Sequence, residues 1–225
     1  MADTEEMKRQ CYGLVYESYL EKFKIDPTDY PEKIIFDKYD SYSLHCLITH
    51  IATGLPAACV RLVPFSQEEP FPFETLCAES LDTEKLEQLV IDPQKTCEIA
   101  RLAVGDLFRK RSKKVQGHLR EIQLSFSEEE KQVFALTSVV GFIAALVLAE
   151  ISGKTGGFVM VESFLLKSLR RTGLPFQRVG ADITYGSKEH IQGAPYFVTT
   201  QLALDNMLPD FVGIYHWVKD NVKLD

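Results

Sequence analysis

The chain is 225 residues long, with 45% apolar and 25% charged residues, the composition of a single folded domain that buries a sizeable core, which excludes disordered and fibrous classes. Thirty-two acidic against 25 basic side chains give a net charge of −7, the wrong sign for a dedicated nucleic-acid binder. The exception is local, because Arg109, Lys110, Arg111, Lys113 and Lys114 crowd together in one short run.

Residues 5–24 carry Leu14, Val15, Tyr19, Leu20 and Phe23 at helical spacing, with Glu and Lys between them, which predicts an amphipathic helix. Asp26-Pro27 and Tyr30-Pro31 end it, and a loop rich in ionisable residues leads to the next apolar stretch. Residues 43–51 and 57–63 suit two antiparallel strands joined through Thr53-Gly54-Leu55-Pro56. Residues 64–95 form an excursion with one short helix around Leu81, Leu86, Leu89 and Val90.

A buried strand over 97–104 follows, then the basic run, then a long apolar helix over about 129–151. The apolar part of that helix approaches membrane-span length, but Thr137, Ser138, Gly141 and Glu150 mark it as a core helix. A strand over 157–161, a helix over 162–172 and strands over 176–179 and 195–202 come next. The tail, 205–224, places Leu208, Phe211, Val212, Tyr215, Val218 and Val222 on one helical face. The order of elements predicts one α/β layered domain with a mostly antiparallel sheet between helices.

Cys11, Cys46, Cys59, Cys77 and Cys97 show neither a C-x-x-C pair nor metal-ligand spacing, so no disulfide framework and no metal site are expected. The acidic start lacks the pattern of a secretory signal, and a cytoplasmic location is the expectation. P-loop, dinucleotide-glycine and Gly-x-Ser-x-Gly motifs are missing, which leaves the ionisable clusters as carriers of chemistry.

Arg61 lies within Val60-Arg61-Leu62-Val63 and Arg101 within a strand that should be buried, so both guanidiniums need carboxylates; Asp37, Asp40 and Glu98 are the candidates. Strand alternation sends Glu98 and Arg101 to opposite faces unless a bulge intervenes. The cluster is either a structural ion-pair network or the frame of a reaction centre. His45 and His50 read as satisfied sheet histidines.

Asp37-x-Tyr39-Asp40, Ala57-x-x-Val60-Arg61-Leu62-Val63-Pro64 and Glu98-x-x-Arg101-Leu102-Ala103-Val104, in this order, resemble the acyl-homoserine-lactone synthase and N-acyl amino acid synthase superfamily of GNAT-like acyltransferases. Tyr39-Asp40-x-x-Ser43-x-His45, Thr53-Gly54, Phe108-Arg109-Lys110-Arg111 and Ala194-Pro195-Tyr196 bring it closer to the PEP-CTERM/exosortase system-associated acyltransferases. The resemblance runs from about residue 12 to 200 and departs at Tyr12, where the family has an arginine, and across 185–193, which lacks the family's Arg.

The resemblance implies a GNAT-like fold without a permanently bound cofactor. It implies transfer of a medium or long fatty acyl group, from a thioester on acyl carrier protein or coenzyme A, to the amine of an amino acid or related molecule. Glu98 would be the base, framed by Asp37, Asp40, Arg61 and Arg101. The donor would lie along Leu102, Ala103 and Val104 with its phosphate near Arg109, Lys110, Arg111 and Lys114, a basic run that would also draw an acidic carrier protein. Phe142, Leu146, Phe158, Met160 and Phe164 would line the acyl pocket. Alternative readings are an acyl-homoserine-lactone synthase and a non-catalytic acyl or carrier-protein binding module.

Overall fold

The first helix starts where Thr4 accepts a hydrogen bond from Met7 N–H, and it runs over Glu5–Lys22 (α1). The computed structural model describes residues 1–89, 91–109, 126–185 and 191–222. After α1 come β1 (Leu44–Thr49) and β2 (Pro56–Pro64), the expected hairpin, turned at Gly54 with φ of 70°. The excursion holds two short helices rather than one, α2 (Pro72–Cys77) and α3 (Thr83–Gln88), and returns into β3 (Thr96–Val104).

The expected long helix is interrupted. A Ser127–Glu130 capping box starts α4 (Glu128–Val133), a 3-10 turn at Phe134–Leu136 follows, and α5 (Thr137–Ile151) completes the run. The span Glu129–Ile151 is long and apolar enough to cross a membrane, yet in α5 Val139 and every residue from Gly141 to Ala149 is buried in the protein core. Then come β4 (Gly156–Glu162), α6 (Ser163–Arg170), the two-residue β5 (Gln177–Arg178), β6 (Ile183–Tyr185), β7 (Ile191–Thr199), α7 (Thr200–Asn206) and α8 (Pro209–Asn221). Strand β6 was not anticipated. The last strand stops short of the expected 202 because the Thr199 side chain accepts from Leu202 N–H and caps α7, so the tail is two helices.

The seven strands form one sheet in the order β1-β2-β3-β4-β7-β5, with β6 also paired to β7. Every pairing is antiparallel except β3 with β4. Alternation sorts the core onto two faces. Val60, Leu62, Ile99, Val159 and Val161 pack with α5, α6 and α8 on one face. On the other, Cys59 and Ala103 meet α1, while Val63, Phe158 and Phe197 meet Phe71 and Phe73 of the excursion. Glu150 on α5 accepts from Tyr215 and Lys219 of α8, which fixes the terminal helix to the central one.

Two irregularities shape the middle of the sheet. Cys59 pairs with Ala103 but Arg61 with Ala100, so two residues of β3 oppose one of β2, and Arg101 takes a φ of 53°. The parallel pairing of β3 and β4 covers only Thr96–Ile99 against Gly156–Val159. Beyond that point each strand keeps its outer neighbour while the two part company, leaving a notch between Ala100–Val104 and Met160–Glu162.

Gly173 has φ of 92°, and a Cβ there would run into the Asn206 carbonyl. Gly153 has φ of 72° with open space around it. Gly173→Ala should therefore destabilise the protein by about 3 kcal/mol and Gly153→Ala by about 1 kcal/mol, as read from urea denaturation midpoints.

Candidate active site

The loop before β1 prepares its own carboxylates. Asp37 accepts from Tyr39 N–H at 2.9 Å, and Asp40 returns an acceptor to Asp37 N–H at 2.6 Å, closing a capping box around the 3-10 turn Lys38–Ser41. Held this way, the two carboxylates meet both arginines. Arg61 Nη1 donates to Asp37 Oδ1 at 2.7 Å and to Asp40 Oδ1 at 2.9 Å. Arg101 Nη2 donates to Asp37 Oδ2 at 2.7 Å, and its Nη1 to Asp40 Oδ2 at 3.3 Å and to the Ile35 carbonyl at 2.9 Å.

Regular alternation would have turned Arg101 away. The bulge turns it onto the face of Arg61, at the cost of a left-handed backbone at a non-glycine residue, roughly 1–2 kcal/mol. Asp40 and Arg61 are buried at 4% and 2% side-chain exposure, whereas Asp37 keeps 34%. Burial raises the Asp37 pKa, but Arg101 and then Arg61 outweigh it and hold the carboxyl below its ordinary range. His45 Nε2 lies 3.4 Å from Asp40 Oδ1 behind the cluster, and desolvation keeps its pKa low despite that neighbour.

Glu98 was expected to share in neutralising the arginines, and it does not. Among the described residues it forms no ion pair; its Oε2 accepts from Phe73 N–H at 2.9 Å. It opposes Phe158 across β3 and β4, and the Phe158 ring stacks on Phe73 at 4.6 Å. Burial in that apolar setting pushes its pKa up to about 8, against a weaker pull from the Phe73 N–H and Arg61. It stands one residue before the strands separate, at the apex of the notch.

Around the apex the structure adds residues that pattern reading passed over. Cys77 on α2 touches Met160 Sδ at 3.6 Å, and burial, with the Glu98 charge, raises its thiol to about 11. Tyr185 is pushed up to about 12 by burial, then by Tyr19 and Cys77, and the Tyr19 hydroxyl feels Arg101, Arg61 and Asp37. Tyr19, Tyr185 and Cys77 thus couple electrostatically with one another and with the groups of the ion-pair cluster and Glu98. Only Tyr19 carried a periodic signal, and that signal was one of core packing.

The donor-side residues are partly placed. Leu102 packs toward α5 against Gly141, Ala103 faces α1, and Val104 accepts from Arg109 Nε at 2.8 Å. Arg109 is also paired with Glu21 and, at 3.3 Å, with Asp106. Lys110, Arg111 and Lys114 lie outside the described residues. The five expected acyl-pocket residues are not brought together. Phe142 and Leu146 are buried in the core on the α5 face, Phe158 and Met160 point to the opposite face, and Phe164 is 66% exposed at the start of α6. Apolar composition is the same for either face, and β4 alternation is what divides them.

The model of the acetyltransferase (GNAT) domain matches residues 14–116. The fold is GNAT-like. TofI, solved in a ternary complex with an inhibitor and MTA, is 15% identical, with a TM-score of 0.63 over 92% of this chain and 93% of that one. BjaI, a CoA-dependent acyl-homoserine lactone synthase solved with SAM and isopentyl-CoA, is 13% identical, with a TM-score of 0.56 over 96% and 83%. FeeM, an N-acyl amino acid synthase from uncultured soil microbes, is 10% identical, with a TM-score of 0.55 over 91% and 97%. No curated protein matches the chain.

Removing Arg61 leaves Asp40 buried with half its compensation. Arg61→Met should cost roughly 3–5 kcal/mol of stability in urea, and Asp37→Asn less, because Asp37 is partly solvated. Glu98 behaves in the opposite sense. Its raised pKa means that the protonated carboxyl favours the fold at low pH and that this contribution is lost as pH rises through about 8. Glu98→Gln should therefore gain stability over the wild type between about pH 5 and 9, by an amount on the order of 2–4 kcal/mol, measured as the pH dependence of the unfolding midpoint.

Proposed function

We propose that the protein is an N-acyltransferase that moves a fatty acyl group from a coenzyme A or acyl-carrier-protein thioester to the amine of an amino acid or related small molecule. The observation that carries this reading is Glu98, a buried carboxyl lifted to about 8 at the apex of the notch where β3 and β4 separate. The GNAT domain match over 14–116 supports it.

An ammonium has no lone pair and cannot attack a thioester until it loses a proton. Glu98 in its carboxylate form takes that proton, directly or through a water, and the amine attacks the carbonyl carbon. The tetrahedral adduct collapses with cleavage of the C–S bond; the nitrogen's second proton goes to the departing thiolate, and Glu98 releases the first to solvent. A carboxyl whose pKa is raised to about 8 lies closer to that of an ammonium than an ordinary carboxylate does and is the better proton acceptor for it.

The Asp37, Asp40, Arg61 and Arg101 cluster acts as the rigid wall beside this base. Its four charges cancel, so it orients neighbouring groups without holding Glu98 permanently ionised. The unpaired inner edges of the notch offer backbone N–H and C=O groups to an extended thioester arm, with Leu102, Ala103 and Val104 on one side. Arg109 and the basic run after it would meet the donor phosphate. Tyr39-Asp40-x-x-Ser43-x-His45 supports the finer placement beside the PEP-CTERM/exosortase system-associated acyltransferases.

Purified protein incubated with acyl-coenzyme A or acyl-carrier-protein donors and an amine panel should yield N-acyl products by mass spectrometry; no product from any donor would overturn the reading. Consumption of S-adenosylmethionine would instead mark a lactone synthase. Turnover should fall below an apparent pKa near 8 as Glu98 protonates, and Glu98→Gln should lose about 10²–10⁴-fold in kcat while remaining folded.

A further inference from the structure

Three consecutive residues at the end of α1 reach three different walls of the notch. Glu21 pairs with Arg109, whose Nε also caps the Val104 carbonyl at the end of β3. Lys22 pairs with Glu162, the last residue of β4. Phe23 packs its ring 5.9 Å from that of Tyr185 in β6. The last turn of α1 therefore ties together the far ends of the two strands that separate.

We propose that this turn is the gate of the donor notch, held shut by the Glu21–Arg109 and Lys22–Glu162 pairs and opened when the anionic donor takes Arg109 from Glu21. The inference rests on the donor reading above, because it assigns a path of entry to that ligand. A phosphate offers a guanidinium the same bidentate acceptor geometry as a carboxylate, so the donor can take the place of Glu21 at Arg109. The two pairs suit a reversible closure. Glu21 is 59% exposed and solvent screens its pairing, which keeps such contacts weak. Burial and the neighbouring Arg109 lower the Lys22 pKa to about 8, so its ammonium is not deeply stabilised where it sits. Releasing the turn would free the Lys22 stem and the Phe23 ring from the β4 and β6 side together.

The test uses Glu21→Gln, Lys22→Gln, their double variant, and the charge exchange that combines Lys22→Glu with Glu162→Lys. A thioether analogue of a fatty acyl-coenzyme A, which cannot be cleaved, serves as the probe in stopped-flow binding. Amide hydrogen exchange over residues 19–24 reports the turn without any ligand. The double variant should exchange faster there, bind the analogue about 3–10-fold faster, and show a lower donor KM with kcat within about twofold of wild type. The charge exchange should restore wild-type behaviour in both measurements. Faster exchange with unchanged or slower association would overturn the gate and leave the donor reading standing. If none of the proteins, wild type included, bound the analogue, the donor reading itself would fall and take the gate with it.

Discussion

Two guanidiniums and two carboxylates sharing one buried position are the constraint on which the rest of this structure depends. Arg61 and Arg101 each span both Asp37 and Asp40, so no single pair can be removed without stranding a charge. The carboxylates are already locked by the turn that carries them, because each also accepts from a backbone N–H of the capping box. That prior locking reduces the entropy lost when the arginines arrive. The result fastens the loop before β1 to strands β2 and β3.

The same cluster explains the backbone at Arg101. A left-handed residue in the middle of a strand is costly, and here the two carboxylates on the Arg61 face offset the strain. The bulge raises the local twist of β3, and β3 leaves β4 within two residues of it, after Ile99. Glu98 is the last charged group before that departure. It lies buried where the sheet is still closed, next to the point where the strands part, and the stacked rings of Phe73 and Phe158 complete its dry wall.

Much of this was legible in the chain. An arginine between valines and leucines has to find carboxylates, and desolvation pointed to Asp37 and Asp40, though it counted Glu98 with them. The helix–hairpin–excursion–strand order followed from periodicity and turn residues. Other features left no readable trace. Nothing in Glu98-Ile99-Ala100-Arg101 announces a bulge, since no glycine marks the positive φ. The Phe73 N–H that meets Glu98 comes from an excursion whose Pro, Glu and Gln content obscures any period. The expected acyl pocket failed for a different reason: alternation already put Phe158 and Met160 on one face of β4, but sequence carries no label saying on which face α5 lies.

The net charge of −7 takes on a sharper meaning when the cations near the notch among the described residues are followed to their partners. Arg61 and Arg101 are held by Asp37 and Asp40, Arg109 by Glu21 and Asp106, and Lys22 by Glu162. On the proposed function, an anionic donor would meet at Arg109 a guanidinium already matched to the protein's own carboxylates and would bind there by exchange. Deeper in, the Glu98 carboxyl is neutral near pH 7, because its proton is favoured by burial. The acyl chain and thioester would then be accommodated without desolvating a charge, and Glu98 would have to lose its own proton before taking one from an ammonium. On that function, the separation of the ionic rim from the neutral apex would place the donor phosphate at the mouth of one short notch and the proton transfer at its base.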